Sequence, residues 1–287
     1  MNAEIKQMDG LSVDEKRKLL ADLLRQQNLE PRKFPLSFAQ ERLWFLAQLE
    51  PANPSYNIPF ALRLSGDLDV AALERSINTI VARHETLRTK FVAVDGEPFQ
   101  VVSANATASL EVLDLTSFPA ATAEIELKRL MTTIVEQPFN LAQDHPMRAS
   151  LLKLSNDDHV LLVTMHHIIS DAWSVTIFIQ ELSSLYKAFA TEQNASLPEL
   201  PVQYRDFAEW QRNWLQGDAL KEQVAYWVSK LSGAAKLDLP ADHVRPKVRT
   251  YRGGHLSFTL SVDLTDKLKK LGNAEGATLF MTLLAAF

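Results

Sequence analysis

HVLLVTMHHIISDAWSV, residues 159–175, is the stretch from which the fold is read. Residues 159–165 are almost continuously apolar, the pattern of a strand buried on both faces rather than of a half-exposed one. Such a strand delivers His166 and His167 to its end. A loop, 168–172, follows, and Ser170 or Ser174 is placed to cap the helix after it. Side chains alternate along a strand, so the two histidines point to opposite sides and only one faces a given cavity. The other is expected to be held inside the protein by hydrogen bonds.

A neutral imidazole can take a proton from an attacking amine or hydroxyl near neutral pH. Asp171, four residues after His167, either pairs with an arginine and locks the loop or hydrogen-bonds an imidazole and fixes its tautomer. The sequence leaves both open. Two other readings stand beside catalysis: a pair of satisfied core histidines at a helix start, and a metal site using His166, His167 and Asp171. Adjacent strand histidines diverge and no second HxxxH or HxH pattern occurs, which weighs against a metal.

Outward from this stretch, strand and helix patterns alternate. Upstream, the periodicity predicts helices at 38–49, 68–84 and 121–136, and strands at 58–65 and 109–114. Two further pairs of strands read as hairpins: 87–94 with 98–103 about Asp95-Gly96, and 147–154 with 159–167 about the polar turn 155–158. A long helix after the histidines carries Val175, Phe178, Leu182, Leu185 and Phe189 in register. Residues 191–203, with Pro198 and Pro201, read as a linker. Helices at 204–216 and 218–231, a strand at 255–260 and a helix at 262–271 follow. Trp44, Phe207 and Trp210 sit among apolar neighbours and are expected in the core. Strands and helices mixed in this way give an α/β layered fold, an α+β sandwich. Near the N-terminus, Ser12 and Glu15 form a capping-box pattern ahead of Leu19, Leu20, Leu23 and Leu24, an amphipathic helix over 12–27. It is read as a lid on the main body or as a contact for another protein.

The chain has 287 residues, 46% hydrophobic and 23% charged, enough for a substantial core. A formal net charge of −5 without a long basic run argues against nucleic acid as partner. The absence of cysteine excludes disulfides, thiolate metal sites and cysteine nucleophiles. The N-terminal MNAEIKQMDG lacks a signal-peptide core and no apolar run reaches spanning length, so a cytoplasmic protein without membrane contact is expected. No GxSxG, P-loop or dinucleotide pattern anchors serine-hydrolase, nucleotide or redox chemistry. The chain ends on ATLFMTLLAAF, an apolar helix without a cap, which is expected of a piece of a longer protein.

Four stretches in order carry a resemblance: LSFAQERLWFL (36–46), RHETLRTKF (83–91), MHHIISDAWSV (165–175) and YRDFAEW (204–210). Together they resemble the motifs of a condensation domain of nonribosomal peptide synthetases, in the chloramphenicol acetyltransferase-like superfamily. The resemblance implies a two-lobed fold with the active site in a tunnel between lobes. On this basis residues 1–33 are a helix and linker, 34–190 the N-terminal lobe, 191–203 a linker and 204–287 the start of a truncated second lobe. It implies amide formation between two carrier-bound substrates, each a thioester on a 4′-phosphopantetheine arm, with no intrinsic cofactor and no metal. Implied partners are donor and acceptor carrier domains, an adjacent adenylation domain and an upstream synthetase in trans, guided by the 12–27 helix.

By the same resemblance His167 is the catalytic histidine, a general base or a group that positions the amine and stabilises charge. His166 and Asp171 are structural, Asp171 pairs with Arg83, and Arg88 supports the same region; the alternatives are an exposed helix-end cation for Arg83 and a solvated strand residue for Arg88. Ala172 stands where the motif has glycine, which raises the question of positive φ or close substrate approach there. Ala172, Trp173 and Ser174, followed by Val175, favour condensation over epimerization. An ester-forming acyltransferase and a degenerate docking module without catalysis are the remaining rivals. The chain by itself is expected to be poorly active.

Overall fold

The computed structural model describes residues 32–287 apart from 105, 237, 239, 245–252 and 255. The helix expected at 12–27 lies outside the described residues. Strand β1 (Lys33–Pro35) runs into helix α1 (Phe38–Leu49) through a capping box: the Gln40 N–H donates to Ser37 Oγ, and the Ser37 N–H donates to Gln40 Oε1. Next come β2 (Asn57–Ser65) and α2 (Val70–Arg83), whose first turn is capped by Asp69. A 3-10 turn, Glu85–Arg88, leads to the hairpin β3 (Thr89–Val94) and β4 (Glu97–Val102). Its turn residues Asp95 and Gly96 both have positive φ, 52° and 86°, as a type I′ turn requires. Then follow β5 (Leu110–Asp114), α3 (Ala120–Val135), β6 (Met147–Lys153), β7 (Asp158–His166) and α4 (Ala172–Ala190). Helices α5 (Tyr204–Trp214), α6 (Gly217–Leu231), α7 (Val262–Ala274) and α8 (Leu279–Ala286) complete the described elements.

Two sheets form, β1-β4-β3 and β2-β7-β6-β5, the second mixed because β5 runs parallel to β6. In it β7 lies between β2 and β6, antiparallel to both, with Asn57 opposite His166 and Met147 opposite Met165. The alternation along β7 feeds two cores. Leu161, Val163 and Met165 pack with Ile77 and Ile80 of α2 and with Phe178 and Leu182 of α4. Val160 and Leu162 pack with Leu127 and Ile134 of α3. Helices therefore cover both faces of the strand, and that is why its sequence does not alternate between apolar and polar.

Two expectations are corrected. Residues 256–260 form no strand, since no described strand pairs with them and an unpaired strand leaves its backbone groups unsatisfied. Trp44 packs partly buried against the core, but Phe207 and Trp210 are 38% and 54% exposed. Helix α5 buries Ala208 and docks through polar contacts: Tyr204 Oη to Ser37 Oγ at 3.0 Å, Gln211 Oε1 from the Phe38 N–H, and Arg212 Nε to the Leu36 carbonyl. Its rings stack along the helix instead, Trp210 on Trp214 at 5.5 Å. Contacts divide the described chain into two units, with α5 and α6 in the first and α7 and α8 in the second.

Leu161→Ala, at the centre of the sheet, is expected to lower stability by about 2–5 kcal/mol. Phe45→Ala, at a site 59% exposed, is expected to change it by less than ~0.5 kcal/mol. Urea unfolding of the two variants checks this, and equal losses would contradict the central placement of β7.

Candidate active site

At the end of β7 the two histidines part, as strand alternation predicts. His166 turns inward and is 4% exposed, with the rings of Tyr56 and Phe139 each 6.2 Å away, centroid to centroid. Its Nδ1 accepts the Ile168 N–H at 3.1 Å, so in the neutral ring the proton sits on Nε2. Burial, and secondarily the neighbouring His167 charge, push its pKa from 6.5 down to about 4. It is a neutral, structural ring.

His167 is exposed, and its backbone N–H donates to the Tyr56 carbonyl at 2.8 Å. Its Nδ1 lies 2.8 Å from the Ser170 carbonyl oxygen. A carbonyl only accepts, so Nδ1 carries the hydrogen and the neutral ring keeps its lone pair on Nε2. The loop is drawn tight around His166: the Ile169 N–H and the Ser170 hydroxyl both donate to the His166 carbonyl, at 3.0 and 3.4 Å. An apolar cavity of about 100 Å³ adjoins this loop, lined by Ile80, Met165, Ile169, Ser174 and Phe178.

Asp171 does neither thing expected of it. It is the N-cap of α4: its Oδ1 accepts the Ser174 N–H at 2.8 Å and the Ser174 hydroxyl at 2.7 Å, while the Asp171 N–H donates to Ser174 Oγ. Those bonds from Ser174 hold its carboxyl below the usual range, and a positive His167 adds to the effect. The cap is thus Asp171, not Ser170 or Ser174. Arg83 does not reach it. Its Nε donates to Glu181 Oε1 at 3.1 Å, and its guanidinium also donates to the Pro198 carbonyl. Glu181 lies ten residues further along α4, about 15 Å at 1.5 Å per residue, where the last turn of α2 crosses. Its other oxygen meets His84 Nε2 at 2.8 Å. Breaking the cap at Asp171 is therefore a matter of about 1 kcal/mol rather than of a buried ion pair.

Arg88 is neither a solvated strand residue nor a support of the loop. It sits in the 3-10 turn, donates to the Ser103 carbonyl at 2.6 Å and pairs with Glu85 at 3.6 Å. Ala172 is the first residue of α4 and is not among the residues with positive φ, so the backbone freedom of glycine is not used there. Trp173, next to it, is 75% exposed. Residues the sequence reading missed are Glu181, Gln40 and Gln100. Glu181 left one signal, a charge within the apolar stripe that holds Phe178, Leu182 and Leu185. Gln40 left another, the Ser-x-x-Gln of a capping box. Among the described residues no group of three His, Cys, Asp or Glu is placed to hold a metal, and no helix is long and apolar enough to cross a membrane.

The layered fold is that of chloramphenicol acetyltransferase-like proteins, and solved structures share it. The starter condensation domain of rhizomide synthetase RzmA superposes with a TM-score of 0.65 at 23% identity, covering 71% of this chain and 49% of that one. The X-domain from teicoplanin biosynthesis superposes with a TM-score of 0.74 at 32% identity, covering 87% and 54%. The family model for the condensation domain matches residues 30–287, and the chain belongs to that family. A component of the linear gramicidin synthase of Brevibacillus parabrevis is 50% identical over 254 residues, 88% of this chain and 5% of that protein. Phosphinothricin tripeptide synthetase PhsC of Streptomyces viridochromogenes is 41% identical over 254 residues, 88% of this chain and 23% of that protein. The chain thus spans a small part of these relatives.

The depressed pKa of His166 gives a pH signature. A histidine whose folded pKa lies below its unfolded value supplies stability in full above the unfolded pKa, and this is lost as pH falls towards the folded one. Between pH 6.5 and about 4, His166 is expected to remove on the order of 3 kcal/mol. His145, also depressed by burial, adds to the same slope. Urea unfolding at several pH values should show a shallower slope in His166→Leu; an unchanged slope would mean the ring is not the buried neutral group described.

Proposed function

We propose that this domain forms amide bonds in nonribosomal peptide synthesis, joining a donor acyl or peptidyl thioester to the amine of an acceptor aminoacyl thioester. The single observation that carries the reading is the Nδ1–H···O=C bond from His167 to Ser170, which leaves the Nε2 lone pair of this exposed residue uncommitted at the end of the buried strand. The acceptor nitrogen attacks the donor thioester carbonyl and its proton passes to Nε2 of His167. The tetrahedral intermediate collapses, the carbon–sulfur bond breaks, and the thiolate leaves with a proton returned from the imidazolium. His166 acts only by holding the loop; Asp171, Arg83 and Arg88 keep α4, α2 and the 3-10 turn in place. Both substrates arrive on the phosphopantetheine arms of carrier domains, with an adenylation domain loading the acceptor. Support for an amide rather than an ester comes from the names of the relatives, which include a gramicidin synthase and a tripeptide synthetase.

A second reading, docking without chemistry, has one observation behind it. The teicoplanin X-domain, 30% identical over 87% of this chain, was solved in complex with OxyB. The retained His167 with its free Nε2 weighs towards catalysis. Reconstitution of the domain with loaded donor and acceptor carriers decides between them. His167→Ala is expected to lower amide formation by about 100- to 10,000-fold while both carriers still bind; undiminished amide yield would overturn the assignment.

A further inference from the structure

We infer that Gln40 is a positioning residue for His167, acting through the carbonyl of Ile168. This rests on the reading of His167 as the proton acceptor. Gln40 is 1% exposed, and its side chain has three partners: Oε1 accepts the Ser37 N–H at 3.0 Å, and Nε2 donates to Gln100 Oε1 at 3.2 Å and to the Ile168 carbonyl at 3.4 Å. Gln100, also 1% exposed, donates from its own Nε2 to the Pro35 carbonyl at 2.8 Å.

The direction of this chain of amides is forced at its ends. The Pro35 carbonyl only accepts, so the nitrogen of Gln100 faces it and the oxygen of Gln100 faces Gln40. The nitrogen of Gln40 must then face both Gln100 and Ile168, and its oxygen is left for the Ser37 N–H. Each assignment agrees with the next, so neither amide can flip without placing oxygen against oxygen. A glutamate at 40 would satisfy the same capping box but would have no N–H for either acceptor. The sheet β1-β4-β3, through Gln100, and the start of α1 thus hold one carbonyl of the active-site loop.

That carbonyl follows His167 directly in the chain. The remaining bonds of the loop are internal: Ile168 and Ile169 N–H groups go to His166, and the Ser170 hydroxyl goes to the His166 carbonyl. Within 168–171, among the described residues, the hydrogen bond from outside the 166–175 segment is the one from Gln40. The place of the Ser170 carbonyl, and with it the tautomer of His167, depends on that tether. A methionine at 40 keeps the volume and loses the donors. A methionine at 100 removes a partner of Gln40 but leaves its bond to Ile168.

The test compares Gln40→Met with Gln100→Met by two-bond ¹⁵N–¹H spectra of the histidine rings in the 287-residue chain, and by the rate of amide formation with loaded carriers. Both variants empty a polar partner from the same buried network, so thermal midpoints report the structural loss they share. In Gln40→Met the neutral His167 is expected to shift from Nδ1–H towards Nε2–H, and the rate to fall about 10- to 100-fold. Gln100→Met is expected to keep the Nδ1–H form. An unmoved tautomer in Gln40→Met, or equal shifts in both variants, would overturn the inference. The tautomer is read without turnover, so failure of the catalytic assignment, seen as a wild-type rate in His167→Ala, is told apart from failure of the tether.

Discussion

β7 is buried on both faces, and its backbone groups can be satisfied only by partners on either side. It has them in β2 and β6, from Ser65–Asp158 at one end to Asn57–His166 at the other. Where the ladder stops, the next donors must find other acceptors. The His167 N–H takes the Tyr56 carbonyl, the Ile168 N–H takes the ring of His166, and the Ile169 N–H takes the His166 carbonyl. Satisfying these groups in a dry interior winds the loop into one shape. That shape presents the Ser170 carbonyl to the imidazole of His167.

The two histidines thus have different work although they are neighbours in sequence. His166 commits its Nδ1 lone pair to the loop and stays neutral through burial. His167 commits its Nδ1 hydrogen to the loop and keeps its lone pair on Nε2. One ring is an internal acceptor that shapes the turn; the other is shaped by it. Behind them Glu181 joins α2 to α4 through Arg83 and His84, so the helix that begins at Asp171 is fixed both at its cap and in its third turn.

Most of the fold was legible because its signals are local or periodic. The apolar run 159–165 announced a doubly covered strand, Asp95-Gly96 announced a hairpin, and the period of α4 announced its buried stripe. The divergence of His166 and His167 followed from the geometry of a strand alone. What sequence could not rank was the competition among polar partners. Asp171 had a near partner three residues on in Ser174 and a distant one in Arg83, and the local cap won because it costs no long-range ordering. Arg83 then found Glu181, a partner visible only once α2 and α4 are packed. Phe207 and Trp210 were misread because aromatic residues stacking along a helix surface look, in sequence, like a core-facing stripe.

The central claim is that one loop fixes opposite tautomers on adjacent rings, and it can be read from a single spectrum. In the wild-type chain, ¹⁵N-labelled at histidine and held at a pH where both rings are neutral, two-bond ¹⁵N–¹H correlations assign the protonated nitrogen of each. The account predicts Nε2–H for His166 and Nδ1–H for His167. The same tautomer on both rings, or Nε2–H on His167, would contradict it.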